Sequence, residues 1–123
     1  DVTLTGHAIE CRINAENPAQ NFRPCPGRIS ALHMPGGPGI RIDSAVYQGC
    51  EITPYYDSMI AKLIAYAPTR EEAQMKWALA EFIVEGVDTN IDFQLNLIKD
   101  ADVEAGRYDI GFLSRRKDLF PKA

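Results

Sequence analysis

The strongest constraint on the fold is a run near the N-terminus, residues 6–16, in which apolar and polar side chains alternate. One side of the run carries Ile9, Cys11 and Ile13. The other side carries Glu10, Arg12 and Asn14. A period of two is typical of a strand with one face in the core and one face in solvent. We therefore predict a half-buried strand with a carboxylate, a guanidinium and an amide in line, about 6.5–7 Å apart.

Arg12 is the candidate functional residue of this strand. A guanidinium on a rigid strand is a preformed fork for a planar oxygen ligand. The same pattern also describes an ordinary half-buried strand, in which an arginine beside a glutamate forms a solvated pair of little energetic value. The spacing alone leaves both interpretations open.

Four further segments have the character of strands and recur about every ten residues. They are residues 28–34, 39–46, 51–52 and 58–67. Short strands at this spacing are typical of antiparallel sheets and barrels. We predict an α+β fold in which an antiparallel sheet, residues 6–67, curls into a partial barrel that carries two or three helices.

The first predicted helix begins at Thr69, where Thr69-Arg70-Glu71-Glu72 has the sequence of a capping box. It would end at Gly86, and Glu72 and Lys76 would form a favourable i, i+4 pair. Its apolar stripe consists of Ala73, Trp77, Ala80 and Val84. Trp77 has the size of a stacking platform, but its place on this stripe favours packing in the core.

The C-terminal part of the chain predicts two shorter helices. Thr89 or Asn90 would cap the first, whose inward side carries Ile91, Leu95 and Ile98. A polar connection is expected at residues 101–106. Asp109 would then cap a helix that runs to Arg116 and packs Ile110 and Leu113 against the body. The whole chain, residues 1–123, is predicted to form a single domain.

Composition excludes several classes of function. The 123 residues carry a net charge of −4, so the basic stripe that nucleic acid requires is missing. No apolar run approaches the roughly 18 residues of a membrane span, and no signal sequence is visible. The chain starts at Asp1 without a methionine, as expected of a domain taken from a longer polypeptide and equally of a chain that has been processed.

The cysteines are three in number, without a Cys-x-x-Cys pair, and they favour reduced thiols in the cytoplasm over disulfides or a zinc site. Cys11 lies on the apolar side of its strand, where a buried, inert thiol is expected. We predict no metal site in this chain.

Three blocks of sequence carry a resemblance to a known family. They are Gly-His-Ala-Ile-Glu-Cys-Arg-Ile-Asn-Ala-Glu-Asn-Pro, continued by Arg-Pro-Cys-Pro-Gly-Arg-Ile; Pro-Tyr-Tyr-Asp-Ser-Met-Ile-Ala-Lys-Leu; and Glu-Gly-Val-Asp-Thr-Asn. In this order and spacing, the blocks resemble the C-terminal domain of biotin carboxylases, from about Gly6 to Arg116. The resemblance implies that the chain is the last quarter or so of an enzyme that carboxylates biotin with ATP and bicarbonate. The N-terminal and ATP-grasp regions of such an enzyme, which carry the magnesium-binding carboxylates and the catalytic base, precede these residues.

The resemblance also implies roles for individual residues. Arg12 matches the arginine that contacts bicarbonate and the biotin ureido group, and Glu10 and Asn14 would hold it in place. Ile110 matches an apolar residue that lies against the adenine ring, although ordinary helix packing explains it equally well. Arg41 and Asp57 match positions at the homodimer interface. The family can carry an aromatic residue where this chain has Pro38, so an aromatic anchor is absent there.

The implied cofactors are ATP, Mg²⁺ and biotin on its carrier, all bound mainly by the regions that precede this chain. The implied partners are the biotin carboxyl carrier protein and a second copy of the enzyme. The fragment alone is expected to be inactive and to bind no nucleotide. Acetyl-CoA carboxylase, and with it fatty acid synthesis, is the favoured parent, with pyruvate and propionyl-CoA carboxylases as alternatives. A noncatalytic interaction module that uses the sheet edge and the Arg41 surface is the competing class of function.

Overall fold

The computed structural model describes residues 1–70 and 75–122 of the chain. The strands are β1 (His7–Asn14), β2 (Glu16–Asn17), β3 (Arg23–Pro24), β4 (Gly27–Arg28), β5 (Ala31–His33), β6 (Ile40–Ser44), β7 (Glu51–Ile52), β8 (Met59–Ala67) and β9 (Ile83–Glu85). The helices are α1 (Met75–Glu81), α2 (Ile91–Ile98), α3 (Ala101–Glu104) and α4 (Phe112–Arg115). Two 3₁₀ turns lie at Pro18–Gln20 and Lys117–Leu119.

A three-stranded antiparallel sheet in the order β1-β8-β6 forms the centre of the molecule. The strand β8 contributes the longest run of apolar residues, and Leu63 at its middle is completely buried. Cys11 of β1 and Ile42 of β6 pair with Leu63 from the two sides. Because paired residues share a face, the predicted alternation places one face of the sheet in the core. The strands predicted at residues 39–46 and 58–67 are confirmed within one or two residues.

The remaining strands form three small pairs, β2–β3, β4–β7 and β5–β9. The strand predicted over residues 28–34 is in fact two strands, because the chain changes partners in the middle. The backbone N–H of Ile29 donates to the carbonyl of Cys50, and that of Ser30 donates to the carbonyl of Glu85. The α+β class is thus confirmed, but the described residues form four helices and not the two or three predicted. Curling into a partial barrel stays a prediction.

The helix α1 differs from the prediction in its end and in its buried side. It ends at Glu81, and the next residues form β9, in which Val84 pairs with Leu32. Among the helix residues whose burial the structure describes, Ala78 and Leu79 are buried, and so is Phe82 directly after the helix. With 3.6 residues per turn, Trp77 and Ala80 lie on the opposite side, and Trp77 is 67% exposed. The prediction of Trp77 as a core residue is therefore wrong.

Two further features of this region concern Gly86 and the predicted cap. Gly86 does not end the helix but follows β9 with φ +100°, where a Cβ would overlap the carbonyl oxygen of Arg28. Only glycine can adopt this conformation at such close approach. The predicted capping box depends on Glu72. Together with Ala73 and the pair of Glu72 with Lys76, it lies outside the described residues.

The helix α2 begins directly after Asn90, as predicted, and buries Ile91 and Phe93. Leu95 and Ile98 are half-buried against the core. The expected polar connection at residues 101–106 contains the helix α3, which the side chain of Asp100 caps by accepting from the N–H of Asp102.

The last helix, α4, begins at Phe112, which is buried. Leu113 is half-buried, but Ile110 is fully exposed. Its packing against the body of the domain is therefore a wrong prediction. The reason lies in the turn before α4, where Asp109 accepts from the N–H of Gly111 and holds Ile110 outside the helix.

An arginine cluster holds the C-terminal segments together. Arg116 donates to Asp100 (2.7 Å), Asp118 (2.8 Å) and Asp102 (3.4 Å), and its guanidinium lies over the ring of Phe112. These hydrogen bonds lower the pKa of Asp100 and of Asp118. Beside the cluster, the aromatic rings of Phe22, Phe93 and Phe120 pack together. The Arg116 cluster and the three phenylalanine rings together connect the C-terminal segment to α2 and to the loop after β2.

Candidate functional site

Arg12 lies on the face of the central sheet that points away from the core, and it is exposed. Its Nε donates to the Sδ atom of Met59 at 3.3 Å. Within the described residues, the terminal guanidinium nitrogens have no hydrogen-bond or ion-pair partner. A thioether is a weak acceptor, so this contact orients the side chain while it leaves the forked end open to a ligand.

The register of the sheet shows which side chains share this face. Arg12 and Asp43 both lie opposite Lys62, and Glu10 and Arg41 both lie opposite Ile64. Residues directly opposite each other have Cβ atoms about 4.5–5.5 Å apart. The nearest cross-strand neighbour of Arg12 is thus a second cation. This pair of positive groups favours an anion at the exposed face.

Lys62 was not predicted as a site residue, because the sequence identified it only as the single charge of its strand. Its place beside Arg12 follows from the pairing register, which depends on residues that lie some fifty positions apart. The sequence signal that could have indicated it is the parity of the strand, because a lone charge in an apolar strand must point away from the core.

Asn14 lies at the end of β1, beyond a register shift between Ile13 and Asn14. The side-chain Nδ2 of Asn14 donates to Oε1 of Glu16 at 3.4 Å. The hydroxyl of Ser58 donates to the same carboxylate oxygen at 2.6 Å. The side-chain oxygen of Asn14 is buried and has no partner among the residues described. Within the same part of the chain, no hydrogen bond or ion pair joins Glu10 or the side chain of Asn14 to the guanidinium of Arg12. A role of these two residues in holding Arg12 stays a prediction.

The backbone of Arg12 is held from the start of α2. The carbonyl oxygen of Arg12 accepts from the Nδ2 of Asn90 at 3.1 Å and from the Nε2 of Gln94 at 2.6 Å. Neither contact was predicted from the sequence, since Asn90 was interpreted only as a helix cap and Gln94 was not singled out.

Cys11, the neighbour of Arg12, is buried on the opposite face of β1. Burial, together with the nearby carboxylate of Glu10, raises the pKa of its thiol to about 12. A thiol that stays protonated is a poor nucleophile, which agrees with the prediction that Cys11 is inert.

The three residues predicted at an interface are all exposed, but their local contacts differ. Arg41 makes a two-pronged ion pair with Asp43, with distances of 2.9 and 3.1 Å. Asp57 accepts from the N–H of Met59 at 3.0 Å and so fixes the start of β8 beside Arg12. Pro38 lines a groove of about 580 Å³, to which Trp77 also contributes.

Ile110 belongs to a separate part of the surface. Its turn is fixed by Asp109, which also accepts from Arg115 at 2.8 Å. This hydrogen bond lowers the pKa of Asp109. Within the described residues, no hydrogen bond or ion pair joins this turn to β1, so the structure does not bring Ile110 and Arg12 together.

Among residues 1–70 and 75–122, no three His, Cys, Asp or Glu side chains come together in a group that could hold a metal ion. None of the helices described has the length and the hydropathy needed to cross a membrane.

Known proteins include a family that this chain matches and relatives with similar sequences. The family model for the biotin carboxylase C-terminal domain matches residues 10–115. Biotin carboxylase 1 of Bacillus subtilis is 54% identical over 115 residues, which are 92% of this chain and 26% of that protein. A pyruvate carboxylase subunit of Methanothermobacter thermautotrophicus is 48% identical, over 92% of this chain and 23% of that protein. The chain thus spans about a quarter of the length of these curated relatives.

The fold has a close counterpart among solved structures. The biotin carboxylase domain of the Hydrogenobacter thermophilus 2-oxoglutarate carboxylase superimposes with a TM-score of 0.95 at 44% identity, over 99% of this chain and 27% of that one. That structure is a dimer in complex with MgADP, ADP and bicarbonate.

Proposed function

This chain belongs to the family of biotin carboxylase C-terminal domains, and we propose that it forms part of the active site and of the dimer surface of a biotin-dependent carboxylase. In that enzyme, ATP and bicarbonate carboxylate biotin on its carrier protein. The observation that carries the proposal is the open guanidinium of Arg12, held on a rigid strand beside a second cation.

The proposed role of Arg12 follows from the charge that develops in the reaction. Removing the proton from the ureido nitrogen of biotin places enolate-like negative charge on the ureido oxygen. A fixed guanidinium stabilises such charge, and its two terminal nitrogens fit the planar oxygens of bicarbonate. The free forked end of Arg12 suits both ligands, and Glu10 and Asn14 are proposed to support it from the same strand.

The rest of the machinery is proposed to lie in other parts of the carboxylase, since the chain spans only about a quarter of its relatives. These parts would bind ATP, Mg²⁺ and most of the biotin, and the isolated chain would bind no nucleotide. Ile110 is the proposed exception, as an adenine contact. Its full exposure supports a partner outside the chain, because removing an isoleucine side chain from water lowers the free energy.

Dimerisation is proposed to use the exposed side of the sheet around Arg41, together with Pro38 and Asp57. The dimer seen in the 2-oxoglutarate carboxylase domain supports dimerisation of the enzyme, and the exposure of these three residues suits a contact with a second copy. The competing function, a noncatalytic interaction module, finds support in the same exposed face and in the open groove between Pro38 and Trp77. The single-domain assignment is part of the proposal.

We keep acetyl-CoA carboxylase, and hence fatty acid synthesis, as the proposed parent, with pyruvate and propionyl-CoA carboxylases as alternatives. The relatives include, at similar identity, both a biotin carboxylase and a subunit of pyruvate carboxylase.

The unpaired thiols of Cys11, Cys25 and Cys50 suit a reducing compartment. A cytoplasmic enzyme is accordingly proposed.

The proposal is tested by Arg12→Ala in the full-length carboxylase that contains this chain. Losing a donor to the developing charge is expected to lower kcat for biotin carboxylation by about 10²–10³. The melting temperature is expected to change little, because the side chain is exposed and makes one weak hydrogen bond to the described part of the chain.

The matched control is Arg23→Ala, since Arg23 is an exposed arginine of the small β2–β3 pair. It is expected to retain wild-type turnover. Normal carboxylation by the Arg12→Ala enzyme would remove the catalytic assignment and favour the interaction module.

A further inference from the structure

The start of α2 closes the open edge of β1 at the point where Arg12 leaves the sheet. The strand β1 lies at the edge of the order β1-β8-β6, so its outer backbone groups have no neighbouring strand among residues 1–70 and 75–122 in this sheet. Its pairing with β8 also shifts register between Ile13 and Asn14. An unpaired strand edge next to a register shift leaves the backbone less constrained.

Asn90 acts in place of the missing strand. Its side-chain oxygen accepts from the N–H of Asn14 at 2.9 Å, and its side-chain nitrogen donates to the carbonyl of Arg12 at 3.1 Å. Its own backbone N–H donates to the carbonyl of Asn14 at 3.2 Å. Asn90 is only 8% exposed, so these hydrogen bonds form where water does not compete and breaking them is costly.

Gln94 adds a second donor to the same carbonyl, at 2.6 Å from the next turn of α2. Gln94 is half-buried, and its backbone N–H bonds to the carbonyl of Asn90 in the first turn of the helix. The carbonyl of Arg12 therefore receives two side-chain donors, one from Asn90 directly before α2 and one from Gln94 within the helix.

We propose that Asn90 and Gln94 are positioning residues for Arg12: they fix its peptide group and so aim the guanidinium at the ligand. This inference rests on the proposed function of Arg12. The orientation of a peptide sets the direction of the adjacent Cα–Cβ bond, and the long side chain amplifies any rotation at its tip. A displacement of about 1 Å of a catalytic group can cost as much as 10²-fold in rate.

The test uses Gln94→Ala in the full-length carboxylase, because Gln94 is half-buried and its removal leaves Asn90 to hold the strand. We expect kcat for biotin carboxylation to fall about 10- to 100-fold, with a smaller change in the KM for ATP, whose site is proposed to lie elsewhere. Gln94→Glu replaces the donor by an acceptor that repels the carbonyl, so its loss should be larger. Asn96→Ala, an exposed amide on the same helix, is the matched control and should retain wild-type kcat.

A double variant separates positioning from a general structural role. If Gln94 acts through Arg12, adding Gln94→Ala to Arg12→Ala causes no further loss of kcat. Additive losses, or a wild-type kcat in both Gln94 variants, would overturn the inference.

Asn90→Ala provides a second route, with the melting temperature measured beside kcat. Its loss of kcat should likewise vanish in the Arg12→Ala background, and additive losses would again overturn the inference. The proposed function fails separately, by normal turnover of Arg12→Ala alone.

Discussion

Arg12 and Arg116 are two arginines of one small domain with opposite surroundings. Arg116 contacts three carboxylates and a phenylalanine ring, and its side chain is only 29% exposed. Arg12 is exposed, and among the residues that the structure describes its guanidinium donates only to the thioether of Met59. A guanidinium whose three nitrogens all donate to carboxylates stabilises the fold, whereas one with a free forked end can bind a ligand. Whether the guanidinium donors already have acceptors in the protein, and not the residue type, distinguishes a structural arginine from one that can bind a ligand.

The two regions also differ in how their contacts are distributed along the chain. The partners of Arg116 lie within 16 residues of it. The residues that hold the backbone of Arg12 lie 78 and 82 residues away. The C-terminal cluster can therefore form locally, while the Arg12 site requires the complete fold.

The largest effect on stability is expected from Arg116→Ala. The substitution leaves Asp100, whose side chain is 11% exposed, next to Asp102 and Asp118 without their common cation. Three neighbouring carboxylates repel one another when no cation joins them. We expect a clear drop in the melting temperature, measured by calorimetry at pH 7, and Arg23→Ala serves as the control. An unchanged melting temperature would mean that the cluster has no role in the fold.

The second expected effect is the pH dependence of that stability. Hydrogen bonds from Arg116 lower the pKa of Asp100 and Asp118 in the folded state. In the unfolded chain, the pKa of an aspartate is about 3.9. Their contribution to the free energy of unfolding is complete above that value and is lost as the pH falls through the lowered folded values.

Denaturant unfolding between neutral pH and pH 2 should therefore show a loss of stability below about pH 4. The loss should be less steep in Arg116→Ala, because these pKa shifts disappear with the guanidinium. Parallel pH profiles for the two proteins would contradict the assignment of the shifts to Arg116.

The smallest effect is expected from Met59→Leu, which keeps the approximate volume but removes the acceptor of the Arg12 Nε. Volume-conserving substitutions of this kind usually cost less than about 1.5 kcal/mol. We expect kcat for biotin carboxylation in the full-length enzyme to fall by less than in Arg12→Ala. Ile64→Leu, on the outer face of the same strand, is the control. A wild-type kcat would show that the thioether does not orient the guanidinium.

Sequence reasoning succeeded where one local pattern determines the structure. The alternation in residues 7–14 predicted the exposed side of Arg12, and the apolar run of residues 58–67 predicted the strand β8. It failed where a partner distant in sequence decides. The chain changes partners after Ile29, whose N–H donates to Cys50 next to β7, whereas the N–H of Ser30 donates to Glu85 of β9.

The helix α1 gives a second example of this limit. Trp77 and Ala80 suggested one buried side, but the contact with the sheet selects Ala78, Leu79 and Phe82. Apolar residues lie on both sides of this short helix, so periodicity alone could not decide which side faces the core. The same limit hid Asn90 and Gln94, whose contacts with β1 become visible only in the folded chain.

The most direct test of the central claim compares Arg12→Ala with Arg116→Ala in the full-length carboxylase, measuring kcat for biotin carboxylation and the melting temperature of each. We predict that Arg12→Ala loses about 10²–10³ in kcat at a nearly unchanged melting temperature. Arg116→Ala should lose thermal stability and change kcat far less when assayed well below its melting temperature. Equal losses of kcat in the two variants, or wild-type kcat in Arg12→Ala, would contradict the catalytic role of the open guanidinium.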